Sequence, residues 1–378
     1  MRGNTYRVNE LCKYARTGIA LLLCATAAVL SAACLLGDDI KTLWKKAVGD
    51  NSGIVPGATL AAKLKWLESN AQNRCNYIIE LSADESIDSS RLFYTYTYID
   101  ANVTITLKGI GANRIISLSS RESRESMFTV GNNVTLVLDN NITLQGRNDN
   151  TDSLVRVNEG GVLLMNAGSA ITGNTVSNYS YFNGGGVYVS GGTFTMNGGT
   201  ISGNSVNSSN SPNSNACGGG VYVNDGTFSM NSGIISGNTA KFGSGVYVSR
   251  GTFTMNDGAI FGNTASSSGG GVYVNGGTFT MNSGTISGNT ASSGGGMYVG
   301  GGTFTKTGGT IYGYSVSDTV NSNAVKDSDG MVLNERGHAV YVSTGSVTKR
   351  RESTAGPWVS LSFNYNNGSP TWSGEWDN

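Results

Sequence analysis

The sequence predicts an all-β protein: a right-handed parallel β-helix with three short strands per coil of about 25 residues, closed at its N-terminal end by a short helix. Two observations carry this. One phrase, "GGGVYVNGGTFTMNSGTISGNTA" at 269–291, recurs along the chain, and its apolar residues alternate within each copy. Each copy contributes one tyrosine (Tyr188, Tyr222, Tyr247, Tyr273, Tyr298) and one phenylalanine (Phe194, Phe228, Phe253, Phe279, Phe304). From Tyr222 onward both series advance by 25, 26 and 25 residues. A constant period in the twenties marks a solenoid, whose units bury their apolar faces only against their neighbours. The longer first step, 34 residues, falls in the polar insert "SVNSSNSPNSNAC" at 205–217.

Alternation argues strand rather than helix. In "GVYV", Val272 and Val274 share one face and Tyr273 takes the other; in "GTFTMN", Phe279 and Met281 point inward between Thr278 and Thr280; in "GTISGN", Ile286 joins the inward set. Glycine and asparagine separate the strands and supply the corners, and parallel connections favour right-handed winding. Five inward side chains cannot offset the entropy of ordering a whole coil, so one coil alone is unstable and stacking is required. Stacking aligns like residues, among them Asn204, Asn238, Asn263 and Asn289 at one corner, read as amides that bridge successive coils.

Fainter coils precede these: "VTITLKG" with "RIISLSS" (103–120), then 127–146, then 154–174. The pattern loosens after Phe304, recovers at "HAVYVSTGSV" (338–347) and ends in "WVSLSF" (358–363). Upstream, Leu60, Leu64 and Leu67 in "TLAAKLKWLESNAQ" (59–72) have helical spacing, with Ala61 nearby, and place a capping helix over the first coil. The expected organisation is a signal peptide at 1–33, a lipidated tether at 34–58, the capping helix at 59–74 and the β-helix at 75–378.

Arg2, Arg7, Lys13 and Arg16 precede the apolar run "GIALLLCATAAVLSAA" (18–33), which is shorter than a membrane span and reads as a secretory signal. Small residues directly before Cys34 resemble a bacterial lipobox, with Leu30 one position further upstream than the commonest pattern. Diacylation of Cys34 is the expected anchor, against an uncleaved anchor or an ordinary cleavage site. Cys12 and Cys24 fall in the signal. Cys75 and Cys217 lie several coils apart, too far to bridge one another.

Composition bounds the function. Gly is 55 of 378 residues and charged residues only 13%, a bias that the strict period assigns to order rather than disorder. The formal net charge is zero, so nucleic acid is not an expected partner. With one histidine and no metal-ligand spacing, no metal and no cofactor is expected.

The paired "GGGVY" and "FTMN" motifs, at Gly184–Asn197 and Gly269–Asn282, resemble the repeats of chlamydial polymorphic outer membrane proteins. With the lipobox-like N-terminus, "ANVTITLKGIG", "NNVTLVLDNNITLQGR" and "MNAGSAITGN", the chain resembles a family of treponemal β-helix lipoproteins. That resemblance implies a pectin-lyase-like fold and a location in the outer membrane or at the cell surface. The chlamydial proteins carry a large C-terminal β-barrel; the residues after these repeats leave no room for one, so the lipid is the expected anchor.

The leading expectation is a stiff, non-catalytic adhesive or structural rod, held to the membrane by lipid and contacting a glycan or host matrix protein. The alternative is a polysaccharide lyase or glycoside hydrolase on the same fold. Glycosidases pair carboxylates, but between 160 and 317 the only acids are Asp225 and Asp257, at different places in the repeat. His338 in "RGHAVYV" has no acidic motif beside it and reads as a corner or solvated residue, and "KRRE" (349–352) as a solvated charge run. A third reading takes Thr252 with Thr254, Thr278 with Thr280 and Thr303 with Thr305 as an outward ice-binding array, against threonine as an ordinary strand former. The expected binding feature is the outward ladder Tyr188, Tyr222, Tyr247, Tyr273 and Tyr298, serving either as sheet-stabilising stacks or as an aromatic platform for sugar rings or an extended peptide.

Overall fold

The computed structural model describes residues 53–88, 90–92, 102–119, 126–177, 184–207, 216–333, 337–343, 347–351 and 358–361. The expected signal peptide, Cys34 and most of the tether lie outside these residues.

The chain folds as a parallel β-solenoid. Strands from successive coils stack into sheets of 12, 9, 9 and 6 strands. We name three of them after the residue that marks them. The tyrosine sheet contains Val187–Ser190, Val221–Val223, Val246–Val248, Val272–Val274 and Met297–Val299; the phenylalanine sheet contains Thr193–Met196, Thr227–Met230, Thr252–Met255, Thr278–Met281 and Thr303–Lys306; the isoleucine sheet contains Thr200–Ser202, Ile234–Ser236, Ala259–Phe261 and Thr285–Ser287. The fainter coils follow the same order: Phe128–Val130, Val134–Leu138 and Ile142–Gln145 form one, and Val155–Asn158, Val162–Met165 and Ser169–Thr172 the next.

Like pairs with like. Tyr222 stands opposite Tyr188 and Tyr247, Phe253 opposite Phe228 and Phe279, and Ile260 opposite Ile235 and Ile286. The valine, phenylalanine, methionine and isoleucine columns form one continuous buried core, in which Phe194, Phe228, Phe253, Phe279 and Phe304 are fully covered. The phenylalanine rings stack 4.6–5.2 Å apart, close to the strand separation that sets their spacing. Lys306 ends the methionine column opposite Met281 and is itself buried, its aliphatic stem continuing the packing.

The structure adds a fourth sheet to the three expected. It runs through Thr175–Ser177, Ser205–Asn207, Thr239–Phe242, Thr264–Ser268, Thr290–Ala291 and Ala324–Val325. All of these strands but Ala324–Val325, which buries both residues, turn a single small residue inward, among them Val176, Val206, Ala240 and Ala265. One inward residue makes no alternation, so the period-two signal that reveals the other sheets is missing here.

At the N-terminal end, α1 (Leu60–Asn70) buries Leu60, Leu64 and Leu67 against the first coil. Thr59 caps it by accepting the Ala62 N–H at 3.2 Å, and Glu85 accepts the Leu60 N–H at 3.2 Å. These bonds satisfy donors that a helix start leaves open. The expected boundary shifts in one respect. Gly53–Ile54, assigned to the tether, pairs in parallel with Tyr77 and Ile78 and starts the phenylalanine sheet, a strand too short to carry a sequence pattern. At the other end Val347–Arg351 extends that sheet, and Trp358–Leu361 pairs with it antiparallel.

Candidate functional site

The corner between the isoleucine and fourth sheets is built on asparagine. Asn204, Asn238, Asn263 and Asn289 are fully buried, and the column continues through Asn174 and Asn323. Each Nδ2 donates to the next Oδ1: Asn204 to Asn238 at 3.2 Å, Asn238 to Asn263 at 3.0 Å, Asn263 to Asn289 at 2.9 Å and Asn289 to Asn323 at 2.9 Å. The same Nδ2 atoms reach the carbonyls of Ile171, Ile201, Ile235 and Ile260, and each Oδ1 also accepts a backbone N–H from the preceding asparagine. Asn238, Asn263 and Asn289 thereby fill their capacity without water. Glycine makes the corner possible: Gly203, Gly237, Gly262 and Gly288, each just before its asparagine, have φ of 62–65°.

A second asparagine column runs along the exposed corner after the phenylalanine strands. Asn231 Nδ2 donates to Asn197 at 2.9 Å, Asn256 to Asn231 at 2.8 Å and Asn282 to Asn256 at 2.8 Å, with Thr307 Oγ1 closing on Asn282 at 2.8 Å. These are the asparagines of the "FTMN" motif.

The five expected ladder tyrosines do stack on the outer side of their sheet, and Tyr341 adds a sixth. Ring centroids lie 5.1, 5.1, 5.1, 4.7 and 5.0 Å apart from Tyr188 through Tyr341. Arg156, one register step before Tyr188, lies over its ring at 4.5 Å and closes that end by a cation–π contact. Exposure, however, divides the ladder. Tyr188, Tyr222 and Tyr247 are 8%, 3% and 7% exposed and form a cluster with Cys217 and Phe242, whereas Tyr273, Tyr298 and Tyr341 are half-buried. Burial pushes the Tyr222 and Tyr273 hydroxyls up to about 12 and the Cys217 thiol to about 12. Tyr247 is raised as well, by burial and by Cys217 beside it.

The arrangement limits what a platform on this ladder could offer. Sugar stacking needs a free ring face, and here most faces are turned to one another along the column, with Tyr222 and Tyr247 tilted by 46°, so that exposed ring area is confined to Tyr273, Tyr298 and Tyr341. Alternation places a tyrosine outside the core, but it does not reveal a side chain such as Phe242, which packs edge-on to Tyr273 at 5.6 Å.

The other candidates are dispersed. Asp225, in the turn after a tyrosine strand, is gripped by Arg250 of the next coil through two 2.7 Å contacts, and that bonding holds its carboxyl below the usual range. Asp257 lies in the turn after a phenylalanine strand. A carboxylate locked in a bidentate pair is poorly suited to general acid work. The threonine columns form in register (Thr227, Thr252, Thr278, Thr303; Ser229, Thr254, Thr280, Thr305). Hydroxyls also line the outer faces of the isoleucine and fourth sheets, for example Thr200, Thr285, Thr239 and Thr264, so this array is not distinguished from the rest of the surface. The backbone of Lys349–Arg351 is in a strand; Glu352 and the side chains of this run lie outside the described residues.

Cys75 and Cys217 are both buried and no disulfide joins them. Among the described residues no cluster of three metal-ligating side chains occurs, and no helix is long and apolar enough to cross a membrane. His338 is not solvated: it is 4% exposed at a corner of the last coil. Compared with known proteins, the chain matches no family model, no curated protein and no solved structure.

Proposed function

We propose that this protein is a lipid-anchored, non-catalytic rod of a bacterial cell envelope, displayed at the outer membrane or cell surface and acting as an adhesive or structural element. The observation that carries the reading is the unbroken run of identical ladders. Phenylalanine, isoleucine, asparagine and tyrosine columns pass through successive coils without a gap, so bending the solenoid would break several stacks at once. A stiff spacer is what such a construction supplies. The dispersed carboxylates support the non-catalytic part, and the sequence resemblance to treponemal β-helix lipoproteins supports the envelope location.

Within this reading the contact surface is the half-buried run Tyr273, Tyr298 and Tyr341, whose rims and hydroxyls meet a glycan or a host matrix protein. Anchoring rests on Cys34, since two acyl chains hold a protein at a membrane where one does not. The wild-type protein should incorporate labelled fatty acid and partition into detergent, and protease added to intact cells should remove it. Cys34→Ser should abolish both labelling and partitioning. A mature N-terminus without lipid would end the anchored reading, and complete protection from protease would replace surface display by a periplasmic role.

A further inference from the structure

The chain has a single histidine, and it occupies a position that other coils give to glycine or serine. The register that sets Val340 against Met297, Val272 and Val246 puts His338 in the place of Gly295, Gly270 and Ser244. A Cβ at Gly270 would stand 2.5 Å from the Thr290 carbonyl oxygen, and one at Gly295 would stand 2.7 Å from the Ala324 backbone. In both cases the fourth-sheet strand of the following coil stands in the way, joined at Gly270 by the Gly295 carbonyl oxygen at 2.4 Å. After Ala324–Val325 the fourth sheet has no further strand among the described residues. The imidazole fills the place that such a strand would take.

It also takes over a bond. His338 Nδ1 accepts the Val325 N–H at 2.9 Å, as Ser244 Oγ accepts the Ala240 N–H at 2.9 Å. Val325 continues the register column of Ala240. With its Nδ1 lone pair engaged, the neutral ring carries its proton on Nε2, which makes no hydrogen bond of ordinary geometry among the described residues. Tyr314 packs on the ring at 5.2 Å between centroids, and the His338 carbonyl accepts the Gly296 N–H at 2.7 Å, which ties the residue to the coil before.

We infer that His338 is a proton-operated latch on the last coil: the neutral imidazole holds the Val325 N–H, and a proton taken from solvent at Nδ1 displaces that bond and releases the coil. Among the described residues, the titratable group against the ring is Tyr314. The fourth-sheet strand brings Ala324 and Val325 to it, with Lys326 next along, and the tyrosine-sheet strand brings Ala339 and Val340, with Tyr341 next along. Burial holds the imidazole below its ordinary range, with the Leu333 carbonyl pulling weakly the other way. The folded group therefore prefers to be neutral. Its contribution is complete above the unfolded value of about 6.5 and is lost as pH falls through the lower folded value.

Because the histidine is unique, its Hε1 resonance in the full chain reports this site alone. Hydrogen exchange and NMR between about pH 4.5 and 8 should show protection at Val325 and at Val340–Val342 falling about tenfold per pH unit below about 6.5, until the imidazole has titrated. Protection at Phe253, in the middle of the rod, should not change. In His338→Ser the hydroxyl should hold the same N–H, as Ser244 does, and the pH dependence should vanish. An imidazole titrating at its ordinary value, Val325 protection that is constant through that titration, or an unaltered pH dependence in a folded His338→Ser protein would each overturn the latch.

Discussion

The two asparagine columns use one residue type and nearly one bond length, yet they occupy opposite sides of the wall. In the inner column, Asn263 receives two donors on Oδ1 and donates to Asn289 and to the backbone, all out of contact with water. In the outer column, Asn256 is exposed, accepts one bond from Asn282 and donates one to Asn231. An exposed amide that loses its neighbour finds water, whereas a buried one leaves its partners with nothing. Repetition alone therefore does not measure the strength of a ladder; burial decides which copies matter.

The hardest test of that contrast uses charge. Phe253→Asp places an unpaired carboxylate between Phe228 and Phe279 in the sealed core, at a cost on the order of 5 kcal/mol or more. That approaches the whole stability of an ordinary domain. Thr254→Asp, one residue along and facing out, should cost about 1 kcal/mol from strand preference alone. Urea unfolding of both variants compares them directly, and equal losses would mean that the inward and outward assignment is wrong.

Truncating the amides comes next. Asn263→Ala orphans one N–H of the Asn238 Nδ2, the other staying on the Ile201 carbonyl, and the Asn238 backbone N–H, two buried donors at about 1–3 kcal/mol each. Asn256→Ala should stay within about 0.5 kcal/mol. If the two variants melted together, water would have to reach the inner corner, and the distinction between the columns would collapse.

What the sequence revealed follows the same line. The inward valines, Phe253, Met255 and Ile260 were legible because two-residue alternation and a fixed period are both written in residue types. The inner asparagines were legible as a column for the same reason. Asn256 and its counterparts were not read as a ladder, because an exposed asparagine after a strand looks like any turn former. The fourth sheet escaped because Ala240 and Ala265 stand alone between polar residues. The burial of Tyr222 escaped because it depends on Cys217 and Phe242, which the fold brings in from outside the repeated phrase. The sequence leaves His338 at a corner or in solvent, and the structure chooses the corner; its burial goes with the end of the fourth sheet among the described residues, a property of the stack and not of the local sequence.

The tyrosine column sits between the extremes and allows the finest comparison. Tyr298 is stacked between Tyr273 at 4.7 Å and Tyr341 at 5.0 Å but is only half-buried. Tyr298→Ser forfeits two ring contacts, about 1–3 kcal/mol in all, with water replacing part of the loss. Tyr222→Ser forfeits the same number of contacts and a fully covered ring besides, so it should be the less stable of the two. Attachment should follow the opposite order. The rim of Tyr298 belongs to the proposed contact surface, whereas Tyr222 is covered, so cells displaying folded Tyr298→Ser protein should bind matrix protein or glycan more weakly than cells displaying folded Tyr222→Ser protein. Binding at wild-type level by both variants would remove the tyrosines from adhesion and leave them as mortar between coils, the role that the mutual stacking of their faces already requires.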